Sequence, residues 1–270
     1  MTTGQGIRWS LSGLDEAVEY CKDRNAHHIR TILADLEEYA RVEEDTLHTV
    51  RGSIATLDAI RTNALDASLS LKLSALGVLF DQNLFERNLT FILDRARKCG
   101  AAVEIDIEGR GLIEITLSTL IHFAKEGFSI TGAVQAYLDR TSQDIDTLLA
   151  GGVRIRLVKG AYQGDVTEFT EIQERFKTAF QTLAASKKPF SVGTHDPEIL
   201  AWIEAIGGEV KDHLEVGFLM GLGERTKIDL ASQGWHVAEY VPFGQSGAPY
   251  TARRERYLTM LETLGRRPVP

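Results

Sequence analysis

Short β-rich runs alternate with amphipathic helical stretches along almost the whole chain, and this alternation limits the fold more than any other feature. The runs lie at 7–11, 69–73, 102–107, 133–137, 153–158, 190–194, 214–219 and 237–241. Helical spacing puts Phe85, Leu89, Ile92, Leu93 and Ala96 on one face of the stretch 83–98, and Gly100 is placed to end it. Phe169, Ile172, Phe176, Ala179, Phe180 and Leu183 share a second such face. Asp196-Pro197 suits the start of a further helix, Asp as cap and Pro in the first turn. Strands that alternate with helices run parallel, and eight of them imply closure into a (βα)8 barrel of the TIM type. An open doubly wound sheet would carry a Gly-rich loop after its first strand. Here that turn reads SGLDE, and the lone pair Gly221 and Gly223 lacks the third glycine. The stretch 13–65 reads as helical in more than one piece, so extra N-terminal helices are expected as an insertion in one barrel domain spanning 1–270.

With 270 residues, 43% of them apolar, the chain can bury a large core. A formal charge of −8 makes it a poor partner for nucleic acid. Two cysteines, Cys21 and Cys99, exclude a disulfide scaffold and a cysteine-only metal cage. No apolar run reaches the length of a membrane span, and the start MTTGQGIRWS does not read as a secretory signal. A cytoplasmic protein without a metal centre is expected.

Alternation within the strands carries the functional argument. If Leu69, Leu71, Val103, Ile105, Val134, Ile155 and Leu157 face the helices, the opposite set faces the interior. That set includes Ser70, Lys72, Ser74, Glu104, Asp106, Glu108, Gln135, Tyr137, Arg154 and Arg156, with His195, Glu215 and Tyr240 on later strands. Barrel interiors are normally filled by branched apolar residues. Buried charges must pair with each other or with a ligand. A self-satisfied salt-bridge network and a binding site both meet that demand. The carboxyl ends of the strands, where many of these residues fall, favour a site.

The segment Arg154-Ile155-Arg156-Leu157-Val158-Lys159-Gly160-Ala161-Tyr162 resembles the RLVKGAY segment of proline dehydrogenases, which are flavin-dependent barrel enzymes. Further matches follow in the family's order: LSLKLSALG at 69–77, VEIDIEGR at 103–110, QAYL at 135–138, Thr194-His195, YVPFG at 240–244 and Arg253-Arg254. The resemblance implies oxidation of L-proline to Δ1-pyrroline-5-carboxylate, with a hydride passing from the ring carbon beside nitrogen to flavin N5. It implies substrate binding and catalysis by Lys72, Asp106, Tyr240, Arg253 and Arg254, with Tyr162 and Leu219 lining the substrate pocket. It implies flavin binding by Gln135, Arg156, Val158, Lys159, Gly160, Ala161, Thr194 and His195, the flavin being FAD with FMN as the alternative. Partners would be a quinone acceptor, a separate pyrroline-5-carboxylate dehydrogenase and a peripheral contact with a membrane. Tyr257 and Leu258 stand where the family usually has glutamate and asparagine, and Gly217 replaces a usual glutamine.

Three rival readings remain open. Hydroxyproline oxidation is the nearest rival, although in the family a bulky tyrosine at the position of Tyr240 goes with proline. A Schiff-base lyase would use Lys72 as a desolvated nucleophile. A non-catalytic barrel would explain the departures at Gly217 and Tyr257.

Overall fold

In the computed structural model, which describes residues 9–162, 164–244 and 247–269, eight parallel strands close into a barrel in sequence order. They are β1 (Ile29–Asp35), β2 (Ala67–Leu71), β3 (Val103–Ile105), β4 (Ile130–Gln135), β5 (Arg154–Val158), β6 (Phe190–Gly193), β7 (Leu214–Leu219) and β8 (His236–Phe243). Pairing of β1 with β8, from Ile29 opposite Val237 to Asp35 opposite Phe243, seals the ring. Helix α1 (Leu14–Ala26) precedes β1. The strands are followed in turn by α2 (Glu43–Thr62), α3 (Gln82–Cys99), α4 (Ile113–Lys125), α5 (Thr141–Ala150), α6 (Phe169–Ala185), α7 (Pro197–Ile206), α8 (Glu224–Ser232) and α9 (Ala248–Thr263).

The barrel is as expected, but its first strand is elsewhere. Ile7 and Arg8 lie outside the described residues, and of the described residues 9–11 of the expected run only Leu11 joins the sheet, by a single bridge to Phe243. The true first strand is inside the stretch read as helical. Ile29–Asp35 has polar residues on both faces, Arg30 on one and Thr31 and Asp35 on the other, and runs into Leu36, Glu37 and Glu38, residues that favour helices, so no alternation shows. The insertion at 13–65 is therefore an N-terminal helix, a strand and an ordinary crossover helix.

Other elements follow their local chemistry. The Asp81 carboxylate accepts from the Leu84 N–H at 2.9 Å and starts α3, while Gly100 ends it in the left-handed region at φ 70°. All five residues of the expected α3 face are buried. Asp196 caps α7 from the Glu198 N–H at 3.0 Å. On α6, Phe176 and Phe180 are fully buried, worth roughly 1.5–3 kcal/mol each. Phe169 instead turns to the barrel mouth, with the Lys159 Nζ 4.0 Å and the Arg266 guanidinium 4.5 Å from its ring centre. Cys21 and Cys99 are both free.

Candidate active site

The inward side chains form two tiers. At the amino-terminal end, Arg30 on β1 reaches across the barrel. Its Nε donates to Glu215 at 2.6 Å, its Nη2 to Glu104 at 2.9 Å and its Nη1 to the Ser68 hydroxyl at 2.8 Å. That hydroxyl donates onward to Glu104 at 2.6 Å. Arg156 on β5 links the tiers: Nη1 donates to Glu104 at 2.8 Å, and Nη2 donates to Asp106. Burial alone would raise the Asp106 pKa, but Arg156 and then Lys72 hold it below the usual carboxylate range. The Tyr240 hydroxyl donates to Asp106 at 2.6 Å, and the Lys72 Nζ lies 3.7 Å from it. Burial, then the Asp106 charge, raises the Tyr240 pKa, so its proton stays on the phenol.

Above Asp106 the barrel opens into a cavity of about 740 Å³. Each of the fifteen residues that the resemblance named lines this one cavity: Lys72, Asp106, Gln135, Arg156, Val158, Lys159, Gly160, Ala161, Tyr162, Thr194, His195, Leu219, Tyr240, Arg253 and Arg254. Six cations line it (Lys72, Arg156, Lys159, Arg253, Arg254 and Arg256) against one carboxylate, Asp106, among the described residues. On the far wall Gly193 and Gly217 sit opposite each other in register, so that stretch is bare backbone. A Cβ on Gly217 would stand 2.9 Å from the Val192 carbonyl oxygen, which makes glycine the residue that fits there.

Several lining residues are held by each other. Gly160 has φ 138°, and a Cβ there would strike the Tyr137 ring at 1.7 Å. Tyr137 donates to the Gln135 side-chain oxygen at 2.6 Å and accepts from the Tyr162 N–H at 2.8 Å, which ties β4 to the loop after β5. Lys159 is paired with Asp196. His195 Nε2 accepts from the Leu219 N–H at 2.8 Å, so the ring proton sits on Nδ1. Burial, with Arg254, Lys227 and Lys159 nearby, pushes its pKa down to about 3 and keeps it neutral. Among the described residues no cluster of three His, Cys, Asp or Glu could hold a metal.

At the mouth, Glu38 and Tyr250 escaped the sequence reading. Glu38 accepts from Arg253 at 3.0 and 3.1 Å and so occupies one of the two adjacent arginines. Its signal, an acid just past a strand end, was hidden with β1. Tyr250 on α9 stacks on Tyr240 at 6.4 Å, and its hydroxyl is buried without a partner among the described residues. Arg254, above the Tyr250 ring at 5.0 Å, has a buried Nε that is also unpartnered. Tyr257 also lines the cavity, and Leu258 packs on the cluster of Trp9, Leu36, Leu222 and Tyr250.

Residues 17–255 match the family model described as proline dehydrogenase. The chain belongs to the proline dehydrogenase family. It is 27% identical to proline dehydrogenase 2 of Bacillus subtilis over 247 residues, covering 89% of this chain and 82% of that one. With proline dehydrogenase 1 of Bacillus subtilis subsp. natto the identity is 29% over 261 residues, covering 93% and 86%. Among solved structures, proline utilization A of Bdellovibrio bacteriovorus, inactivated by N-propargylglycine, superposes with a TM-score of 0.83 at 19% identity. That match covers 92% of this chain and 32% of the other, so the chain spans about a third of that protein. The likeness to it is one of fold. No helix among the described residues is long and apolar enough to cross a membrane.

Proposed function

We propose that this proline dehydrogenase-family barrel oxidises L-proline to Δ1-pyrroline-5-carboxylate with a flavin, FAD, held in the cavity. The observation that carries the reading is the unfinished mouth: the Arg254 Nε and Tyr250 hydroxyl are buried with no partner, in a wall with a surplus of cations. Buried polar groups are rarely left unpaired, so their partners are expected on a ligand. Lys72, Arg156, Lys159 and Arg253 already meet carboxylates, so the call for an anion falls on Arg254 and Arg256, which have none among the described residues, and an amino-acid carboxylate or an anionic cofactor answers it. The bare strip at Gly193 and Gly217 suits the face of a flat ring, and Arg156 suits its polar edge.

When bound, the flavin supplies a two-electron acceptor for the hydride leaving the carbon beside the ring nitrogen. The protein binds and orients. Arg254 takes the carboxylate, with Arg253 beside it fixed by Glu38. Tyr240 packs over the substrate ring and is itself held by Asp106 below and Tyr250 behind. Tyr162, with the Arg253 guanidinium 5.4 Å from its ring, and Leu219 close the sides. Lys72 holds positive charge beside Asp106. That ion pair works against the lyase reading, because a nucleophilic lysine must be an uncharged amine. Gln135, Val158, Gly160, Ala161, Thr194 and His195 form the flavin side of the cavity, with Lys159 fixed at its edge by Asp196. Family resemblance alone supports the quinone acceptor, the separate dehydrogenase that takes the product, and contact with a membrane surface.

Purified protein should be yellow, and its flavin absorbance should bleach on anaerobic addition of proline. Mass measurement of the extracted cofactor should give FAD. Colourless protein that takes up neither FAD nor FMN would defeat the proposal, and faster turnover of hydroxyproline would redirect it.

A further inference from the structure

A line of alternating charges runs from the amino-terminal mouth of the barrel to the cavity. Arg154, with its side chain 38% exposed, meets Glu215 at 3.4 Å. Glu215 meets Arg30 at 2.6 Å, Arg30 meets Glu104 at 2.9 Å, and Glu104 meets Arg156 at 2.8 Å. Arg156 meets Asp106. Only Arg156 and Asp106 of this line border the cavity. Glu104 lies below it, 2% exposed, and shares its two carboxylate oxygens between Arg156 on one side and Arg30 with Ser68 on the other. One Arg156 nitrogen is therefore anchored to the floor while the other reaches Asp106.

We propose that Glu104 is a positioning residue that acts through Arg156: it fixes this guanidinium and offsets part of its charge, and so sets the reduction potential of the flavin above it. The inference rests on the flavin reading given above. Arriving at the ring, a hydride brings two electrons and one proton. A flavin held here would gain a unit of negative charge on taking that hydride, and the substrate, oxidised from the neutral amine, would leave as the iminium that balances it. The reduced form is favoured by each uncompensated cation nearby and disfavoured by each anion, and this influence weakens with distance. Counting Lys72, the line holds four cations (Arg154, Arg30, Arg156 and Lys72) against three anions (Glu215, Glu104 and Asp106). Removing one floor carboxylate raises the surplus from one to two without touching the cavity wall.

The test is the midpoint potential of the bound flavin, measured by reductive titration of purified holoprotein without proline. Glu104→Gln should move the balance between oxidised and reduced flavin about tenfold toward reduced, a positive shift of about 30 mV for a two-electron couple. Glu215→Gln, one cation further from the cavity, should shift it the same way by less. Arg154→Gln removes the most exposed cation and should shift it the opposite way. It strands no fully buried charge, so it carries the test if Glu104→Gln does not fold. Flavin-loaded variants with wild-type potentials would overturn the inference and leave the proposed reaction standing. Wild-type protein that binds no flavin would remove both. Unchanged potentials with a lowered melting temperature would mark Glu104 as a structural ion-pair partner only.

Discussion

The two ends of the barrel interior use the same residue types and finish differently. At the floor, Arg30 has partners on three strands, and both Glu104 oxygens accept. Two groups below the cavity are left over among the described residues, the buried Nε of Arg154 and the hydroxyl of Ser70, which sits opposite Glu104 in register. At the mouth the unmet groups are Arg254 Nε and Tyr250 Oη, both beside the cavity. Charge inside a barrel is thus not by itself the mark of a site. What sets the mouth apart is that its unmet groups belong to residues lining a cavity that a ligand can enter, while Arg154 and Ser70 do not border it.

That contrast is broken most directly at the floor. Arg30→Ala leaves Glu104 and Glu215 short of a buried partner and should cost roughly 3–5 kcal/mol, read from the denaturant midpoint. A loss under 1 kcal/mol would mean that the floor network is not what holds β1 to β3 and β7. At the mouth, Arg254→Met should leave stability almost unchanged. It should raise the KM for proline by roughly 10- to 100-fold, since a charge-assisted hydrogen bond is worth about 1.5–3 kcal/mol. An unchanged KM would take Arg254 out of the substrate site.

The mouth should also show itself in acid. The folded-state pKa of His195 lies near 3, below its ordinary value of 6.5, so the unfolded chain takes up that proton first. Stability is therefore full above the ordinary value and falls as the pH drops from there toward 3. The slope should approach about 1.4 kcal/mol per pH unit. His195→Asn, which keeps an acceptor for the Leu219 N–H, should flatten that slope between pH 6 and about 4.5, above the range in which carboxylates take over. An equally steep curve in the variant would place the titrating group elsewhere.

How far each tier was legible follows from its signals. Strands β2 to β8 announced themselves because apolar residues alternate with polar ones, and every cavity residue named from the sequence sits on or just past one of those strands or on α9 or its approach. Strand β1 did not, because each of its faces mixes the two kinds: Arg30 stands among inward Ile32 and Ala34, and Thr31 and Asp35 stand among Ile29 and Leu33 on the other face. With β1 misplaced, Arg30 and Glu38 were lost, and with them the anchor of each tier. Gly217 read as a departure from the family, yet the Val192 carbonyl beside it leaves little room for a Cβ. Spacing along one strand cannot reveal an approach between two.

The finest test sets one hydroxyl at each end against the other. Ser68 bridges Arg30 and Glu104 at 2.8 and 2.6 Å, and Tyr240 donates to Asp106 at 2.6 Å. Ser68→Ala and Tyr240→Phe each delete a hydroxyl bound to a buried carboxylate, and each should cost about 1–2 kcal/mol of stability. They should part company in kinetics. Ser68→Ala should leave KM within twofold of wild type, because its partners are all below the cavity. Tyr240→Phe frees a ring that packs over the substrate and loosens Asp106 beside Lys72, so KM should rise several-fold while the loss of stability stays comparable. If the two variants were kinetically alike, the boundary between a closed floor and a working mouth would have to be drawn above Asp106 rather than below it.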